Sequence, residues 1–245
     1  MALDTTQWLW AILCAFLIGF AKTGFSGVAT LVVPIMAAIF GGKESSGIVL
    51  PMLIVGDLLA VKKYSSHADW KYIRRLLPWA MAGIILGLAV GNAVSDLQFK
   101  RIIAIIVLLG LCVMIWQEIQ GDGAAVPHQW WFSALLGLAG GFSTMIGNAA
   151  GPVMGIYLLA MRLPKLVFIG TGAWFFMIIN AAKVPLQIFF WKGITLNTLT
   201  FNLMLVPAIA LGAFIGIKVV RHVPERPFRY AIIAITALTA VKLFF

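Results

Sequence analysis

The chain has 245 residues, of which 62% are apolar and 11% charged, with a formal net charge of +10. Soluble domains carry about 25% charged residues, so this composition excludes a water-soluble globule of this size. It also excludes a nucleic-acid-binding module, which needs a basic face interleaved with exposed aromatic and polar residues; here the basic residues fall between apolar runs.

Taken in chain order, Thr5 to Ala21, Thr23 to Gly42, Leu76 to Ser95, Ile102 to Gln117, Gly123 to Met161 and Gly193 to Ile217 contain no Asp, Glu, Lys or Arg. About 20 apolar residues cross a bilayer as a helix, so the pattern predicts an all-α polytopic membrane protein. Expected helices lie near 8–20, 28–40, 46–62, 74–94 and 98–117, then near 131–142, 149–161, 165–190, 196–218 and 227–245. No basic region precedes the first apolar run, so no cleaved signal peptide is expected. Cys14 and Cys112 lie inside apolar runs, far from a second Cys or a His, and read as packing residues. No metal, cofactor or catalytic constellation is legible, and no Walker-type loop or dinucleotide fingerprint. The expectation is therefore a non-enzyme without cofactor, driven by an ion or substrate gradient.

The two sets of helices read as copies, 1–120 and 131–245, joined by a linker at 121–130. Pro78, Gly83 and Gly87 recur as Pro207, Gly212 and Gly216 at a spacing of 129, each followed by Phe99-Lys100 or Phe228-Arg229. Upstream, Gly24, Gly47 and Asp57 fall opposite Gly147, Gly170 and Asn180 at a spacing of 123. Internal duplication is common among secondary transporters. The glycine pairs themselves read as close helix contacts.

Each copy opens with a segment too long for one crossing, Trp8 to Phe40 and Trp131 to Met161. Each is interrupted by a run rich in small residues, Gly19 to Gly27 and Gly140 to Pro152. Both are expected to be re-entrant pairs of half-helices, since non-helical backbone at membrane depth survives only where protein or a wet cavity surrounds it. If each pair enters and returns, Lys62, Lys63, Lys71, Arg74, Arg75, Arg162, Lys165, Lys218, Arg221, Arg226 and Arg229 share one face. Lys43, Lys100, Arg101, Lys192 and Lys242 take the other. The positive-inside rule makes the first face cytoplasmic, puts both termini outside, and inverts the second copy relative to the first.

Two lysines lie outside the loops: Lys22 in the first interruption, and Lys183 between Asn180 and Pro185. A charge at that depth faces a partner or a pathway, or snorkels to an interface. The interruptions add Thr23, Ser26, Ser143, Thr144 and Asn148, which either bind a ligand or hydrogen-bond between helices. Half-helices starting near Val28 and Ala149 would aim free N–H groups and a positive dipole at the same place. Lys22, Thr23, Ser26, Ser143, Thr144, Asn148, Asn180 and Lys183 are thus the candidate substrate-binding residues for a small anion. Asp57, the one carboxylate inside an expected span, is either a counter-charge for a lysine or a proton-coupling group. His67, Asp69 and Trp70 read as structural loop residues.

Gly19-Phe-Ala-Lys22-Thr-Gly-Phe-Ser-Gly27 with Pro34, Leu50-Pro51 and Asp57 resembles the opening of the TauE/SafE sulfite exporter family. So do Gly141-Phe-Ser through Gly151-Pro152, Phe168-Ile-Gly-Thr171, Asn180 and Lys183-Val-Pro185 in the second copy. The resemblance covers essentially the whole chain. It implies a multi-pass transporter of the cell (inner) membrane that exports sulfite, a sulfonate or another small sulfur-containing anion, with membrane lipid around it and a second copy of the chain as a candidate partner. An anion channel, or a membrane subunit that binds without transporting, would share the site. Saturation and counterflow mark a carrier, currents a channel, and binding without flux a subunit.

Overall fold

A computed structural model describes residues 3–91 and 129–244. The expected helix at 98–117, the Phe99-Lys100 pair, Cys112 and all but the last two residues of the linker lie outside them. The described residues form helices α1 (Thr5–Thr23), α2 (Val32–Phe40), α3 (Gly42–Tyr64), α4 (Trp70–Val90), α5 (Trp130–Gly147), α6 (Gly151–Ala160), α7 (Lys165–Phe189), α8 (Leu196–His222) and α9 (Glu225–Phe244). A 3₁₀ turn, Ser26–Leu31, joins α1 to α2. Five of these helices are long and apolar enough to cross a membrane: Thr5–Thr23, Glu44–His67, Trp70–Val90, Lys165–Phe189 and Leu196–His222.

The interruptions are where the sequence places them, but the first arms are longer than half-helices. α1 continues through Gly19 to Thr23, 19 residues, or about 28 Å at 1.5 Å per residue. α5 likewise runs through Gly140 and Gly141 to Gly147. Gly19 and Gly141 do not break their helices because each is a contact point. A Cβ on Gly19 would lie 1.9 Å from the Ile209 carbonyl oxygen, and one on Gly141 1.9 Å from that of Ala80. Backbone approach of this kind is what glycine provides in membrane helix pairs. The real breaks come later. α1 ends at Gly24 (φ −151°, ψ −81°). α5 ends at Asn148 in the left-handed region (φ 54°), where its N–H and that of Ala149 donate to Thr144 and Ser143 carbonyls, a favoured way to close a helix.

Both broken segments double back. Trp8, near the start of α1, and Phe40, at the end of α2, pack on the same Phe201 ring at 5.2 and 5.5 Å. Phe132, early in α5, stacks on Tyr157 of α6 at 6.1 Å.

Three packings organise the bundle. α1 runs parallel to α8: Phe16 meets Gly212, Gly19 meets Ile209, and Gly24 meets Val220. α5 runs parallel to α4: Leu138 meets Gly83, Gly141 meets Ala80, and Met145 meets Gly87. α3 runs antiparallel to α7, with Gly47 against Gly193, Asp57 against Asn180 and Gly170 against Tyr64. α6 is buried along its whole length.

The loops at 62–75, 162–165 and 218–229 gather at one end. Lys165 Nζ donates to the carbonyls of Val220 (2.9 Å) and Val223 (2.5 Å), while Gly170 abuts Tyr64 and Ala68. Asp69 ties this end together by capping α4 through Lys71 N–H and donating its own N–H to Thr171 Oγ1 at 2.9 Å. Lys43 and Lys192 belong to the opposite end, where Gly47 and Gly193 touch.

Candidate functional site

Where α3 crosses α7, the side chains of Asp57 and Asn180 meet in the interior. Asn180 Nδ2 donates to Asp57 Oδ2 at 2.7 Å. The other carboxylate oxygen pairs with Lys22 Nζ from the tip of α1, also at 2.7 Å. Lys22 lies under the face of Phe176, 4.2 Å from the ring centroid, a favourable cation–π geometry.

Lys183 stands one turn beyond Asn180 on α7, and is completely buried. Its Nζ donates to Asn148 Oδ1 (2.6 Å), Thr144 Oγ1 (3.0 Å) and Asn180 Oδ1 (3.4 Å). An ammonium has three donors, and all three meet neutral acceptors. Asn148 passes the network on, donating to the Ser46 carbonyl at 3.1 Å. Gln187 Nε2 donates to Ser46 Oγ at 3.2 Å. A continuous path of polar contacts thus runs Lys22–Asp57–Asn180–Lys183–Asn148–Ser46–Gln187 through helices α1, α3, α5 and α7.

The local sequence explains these placements. Asn180, Lys183 and Gln187 follow at i, i+3 and i+7, so they share one stripe of α7. The left-handed cap that ends α5 puts Asn148 beside that stripe. Lys22 sits two residues before the break, so its side chain reaches from the end of α1 into α3. Gly56 leaves it room, since a Cβ there would lie 2.9 Å from Lys22 Cγ.

Of the residues the sequence singles out, Lys22, Asp57, Thr144, Asn148, Asn180 and Lys183 come together. Thr23 and Ser143 are turned elsewhere: Thr23 Oγ1 donates to the Gly19 and Ala213 carbonyls, each at 3.0 Å, and Ser143 Oγ to the Gly140 carbonyl at 3.0 Å. Ser26 starts the 3₁₀ turn after the α1 break. The helix starts also differ from expectation: the first tip leads into that turn, so α2 begins at Val32 rather than near Val28, and α6 begins at Gly151. Ser46, Phe176 and Gln187 join the cluster without having been singled out by sequence. The i+4 step from Lys183 to Gln187 is the signal for one of them; nothing local marks the other two.

A small crevice of about 20 Å³ reaches Lys22 from the basic end, lined by Gly24, Met154, Leu158, Phe168, Gly172 and Phe176 among others. That is room for about one water; Lys183 is completely buried, while the Lys22 side chain keeps 7% of its surface exposed.

Long apolar helices packed around a buried ion pair and a second buried lysine define a multi-pass membrane protein with an internal polar site. The chain belongs to the sulfite exporter TauE/SafE family, a family of membrane transporters, whose model matches residues 11–243. It is similar to the "Probable membrane transporter protein MamO" of Paramagnetospirillum magneticum (strain ATCC 700264 / AMB-1), with 23% identity over 71% of this chain. The chain spans about a third of that relative's length, 34%. No solved structure matches.

Proposed function

We propose that the chain is a secondary transporter of the inner membrane that exports a small organosulfur or sulfite-type anion by alternating access. The observation that carries this reading is charge. Lys183 is fully buried and the Lys22 side chain is 7% exposed at one cluster, and among the described residues Asp57 is the one buried carboxylate beside them. Asp57 neutralises Lys22, while Lys183 keeps only neutral partners. A charge held that deep is costly, and an arriving anion would be its counter-charge. Thr144, Asn148 and Asn180 would then orient the anion or relax around it. The family membership supports a sulfur-containing anion as the cargo.

Alternating access is supported by an inverted-repeat reading of the packing. The contacts Phe16–Gly212, Gly19–Ile209 and Thr23–Gly216 correspond to Leu138–Gly83, Gly141–Ala80 and Met145–Gly87. The spacing between copies is 122 residues for α1 and α5, and 129 for α4 and α8. The antiparallel partners α3 and α7 exchange contacts through Asp57 and Asn180, equivalent positions at spacing 123. Equivalent helices that run antiparallel are what an axis in the membrane plane produces. The basic loops gathered at one end would face the cytoplasm. Two equivalent pairs, α1–α8 and α4–α5, could then rock about the α3–α7 crossing.

Purified protein in liposomes loaded with unlabelled sulfite tests the reading. Saturable uptake of labelled sulfite that outruns equilibration supports a carrier. Steady current without counterflow supports a channel, and binding without flux supports neither.

A further inference from the structure

We infer that Phe176 is the gate between the basic-end crevice and the polar cluster, held shut by resting its ring on Lys22. The inference rests on the site proposed above and gives Phe176, which covers Lys22 there, a role of its own.

One face of α7 changes character along its length. Phe168, Gly172, Ala173 and Phe176 follow at i, i+4, i+5 and i+8, and all four line the crevice. The same face continues as Asn180, Lys183 and Gln187, all buried and hydrogen-bonded to other helices. The stripe is apolar up to Phe176 and polar beyond it, so Phe176 is the boundary residue. Across from it, Met154 and Leu158 of α6 complete the apolar wall, and Lys22 with Gly24 forms the end nearest α1.

The ring does more than fill space. At 4.2 Å from Nζ it covers the face of Lys22 that the 2.7 Å ion pair with Asp57 leaves open. Lys22 and Phe176 both line the crevice, so an anion arriving from the basic end meets the ring and the ammonium together, with the ring next to the start of the polar stripe at Asn180. Aromatic rings present negative density on that face, so the ring attracts the lysine and the gate is held closed. Opening it requires the ring to swing off Lys22. The lysine then loses a cation–π partner and gains an anion, a trade that couples opening to the presence of cargo. Because Lys22 is tied through Asp57 and Asn180 to Lys183, movement at the gate is felt along the path.

The test uses full-length protein in vesicles, with Cys14 and Cys112 replaced by Ala and a small anionic thiol reagent, 2-sulfonatoethyl methanethiosulfonate. The reagent is applied to whichever side labels Lys63→Cys. Two reporters are compared: Gly172→Cys in the crevice, where a Cβ makes only an ordinary contact 3.5 Å from Leu158, and Thr144→Cys beyond the gate. With Phe176 present, Gly172→Cys, in a crevice with room for about one water, should label slowly, and Thr144→Cys more slowly still. Phe176→Ala should raise the Thr144→Cys rate on the order of tenfold, since a desolvated cation–π contact holds about that factor in an equilibrium. Phe176→Trp should not raise it. If Phe176→Ala does not fold, Phe176→Leu, which keeps apolar bulk without the ring face, makes the same comparison. Equal Thr144→Cys rates with and without the ring, or a Thr144→Cys that labels as fast as Gly172→Cys while Phe176 is present, would overturn the gate. Repeating the comparison with uncharged methyl methanethiosulfonate, which carries no sulfonate, keeps this result apart from whether an anion binds.

Discussion

Replacing Asp57 by Asn keeps the shape of the side chain and removes its charge, and the hydrogen-bond path dictates the consequences. Asp57 accepts a hydrogen bond from Asn180 Nδ2 and pairs ionically with the Lys22 donor, each at 2.7 Å. An Asn offers one acceptor and one NH₂ group, so one of those donors must face another donor. Asn180 can relieve the clash by flipping its amide, which turns its NH₂ towards Lys183, 3.4 Å from the present oxygen. The fault therefore moves along the path and ends at one lysine or the other. Breaking a buried pair by removing one partner costs about 3–5 kcal/mol. At about 2–4 °C per kcal/mol for a chain of this size, the variant should melt about 6–20 °C lower. Its net charge at the cluster rises by one, so sulfite should restore more stability to Asp57→Asn than to wild type. Thermal unfolding of both proteins with and without sulfite measures this, because a ligand of the folded state raises its apparent stability. The alternative role, a coupling proton, predicts something else. Unchanged stability and sulfite affinity, with loss only of the dependence of transport on a pH gradient, would refute the counter-charge reasoning.

The packing sets three further outcomes. Gly141→Ala places a Cβ 1.9 Å from the Ala80 carbonyl and should cost about 1–3 kcal/mol of stability, whereas Gly172→Ala should be close to neutral; chemical or thermal unfolding in detergent compares them. Thr23→Val removes the 3.0 Å hydrogen bond to Ala213 and should cost about 0.6 kcal/mol while leaving sulfite affinity unchanged in a binding titration, because that hydroxyl joins helices and does not face the cluster. Lys63→Cys should be labelled by an impermeant thiol reagent from the cytoplasmic side alone; labelling from the opposite side would invert the proposed orientation.

Much of this arrangement is legible in the sequence because a bilayer leaves few alternatives. Charge-free runs of about 20 residues must be helices, and a lone Lys183 in such a run must be buried against something. The glycine spacings of α4 and α8 repeat without drift because Gly83 and Gly212 meet backbone, and Gly87 and Gly216 the first side-chain atoms, of a facing helix, where no Cβ fits. The tips are less legible. Gly24 and Gly147 look equivalent at a spacing of 123, yet the packed residues of α1 and α5 correspond at 122, which pairs Lys22 with Thr144. One tip unwinds into a 3₁₀ turn and the other closes on a left-handed Asn148, so the copies lose register there. Gly19 and Gly141 suggest breaks, because propensity counts against glycine in a helix; close packing against Ile209 and Ala80 overrides it. Phe176 and Ser46 carry no local mark, since an aromatic in an apolar helix and a serine near a helix start are ordinary until their neighbours are known.

If Lys183 and Lys22 hold the anion, the most direct measurement is sulfite binding to purified Lys183→Ala and Lys22→Ala beside wild type. Hydrogen bonds to a charged group are worth about 1.5–3 kcal/mol, so each variant should bind sulfite roughly tenfold more weakly or worse. Lys183→Ala should be the weaker, because Lys183 has no carboxylate beside it to share. Both variants folded and binding sulfite with wild-type affinity would contradict a lysine-held anion site.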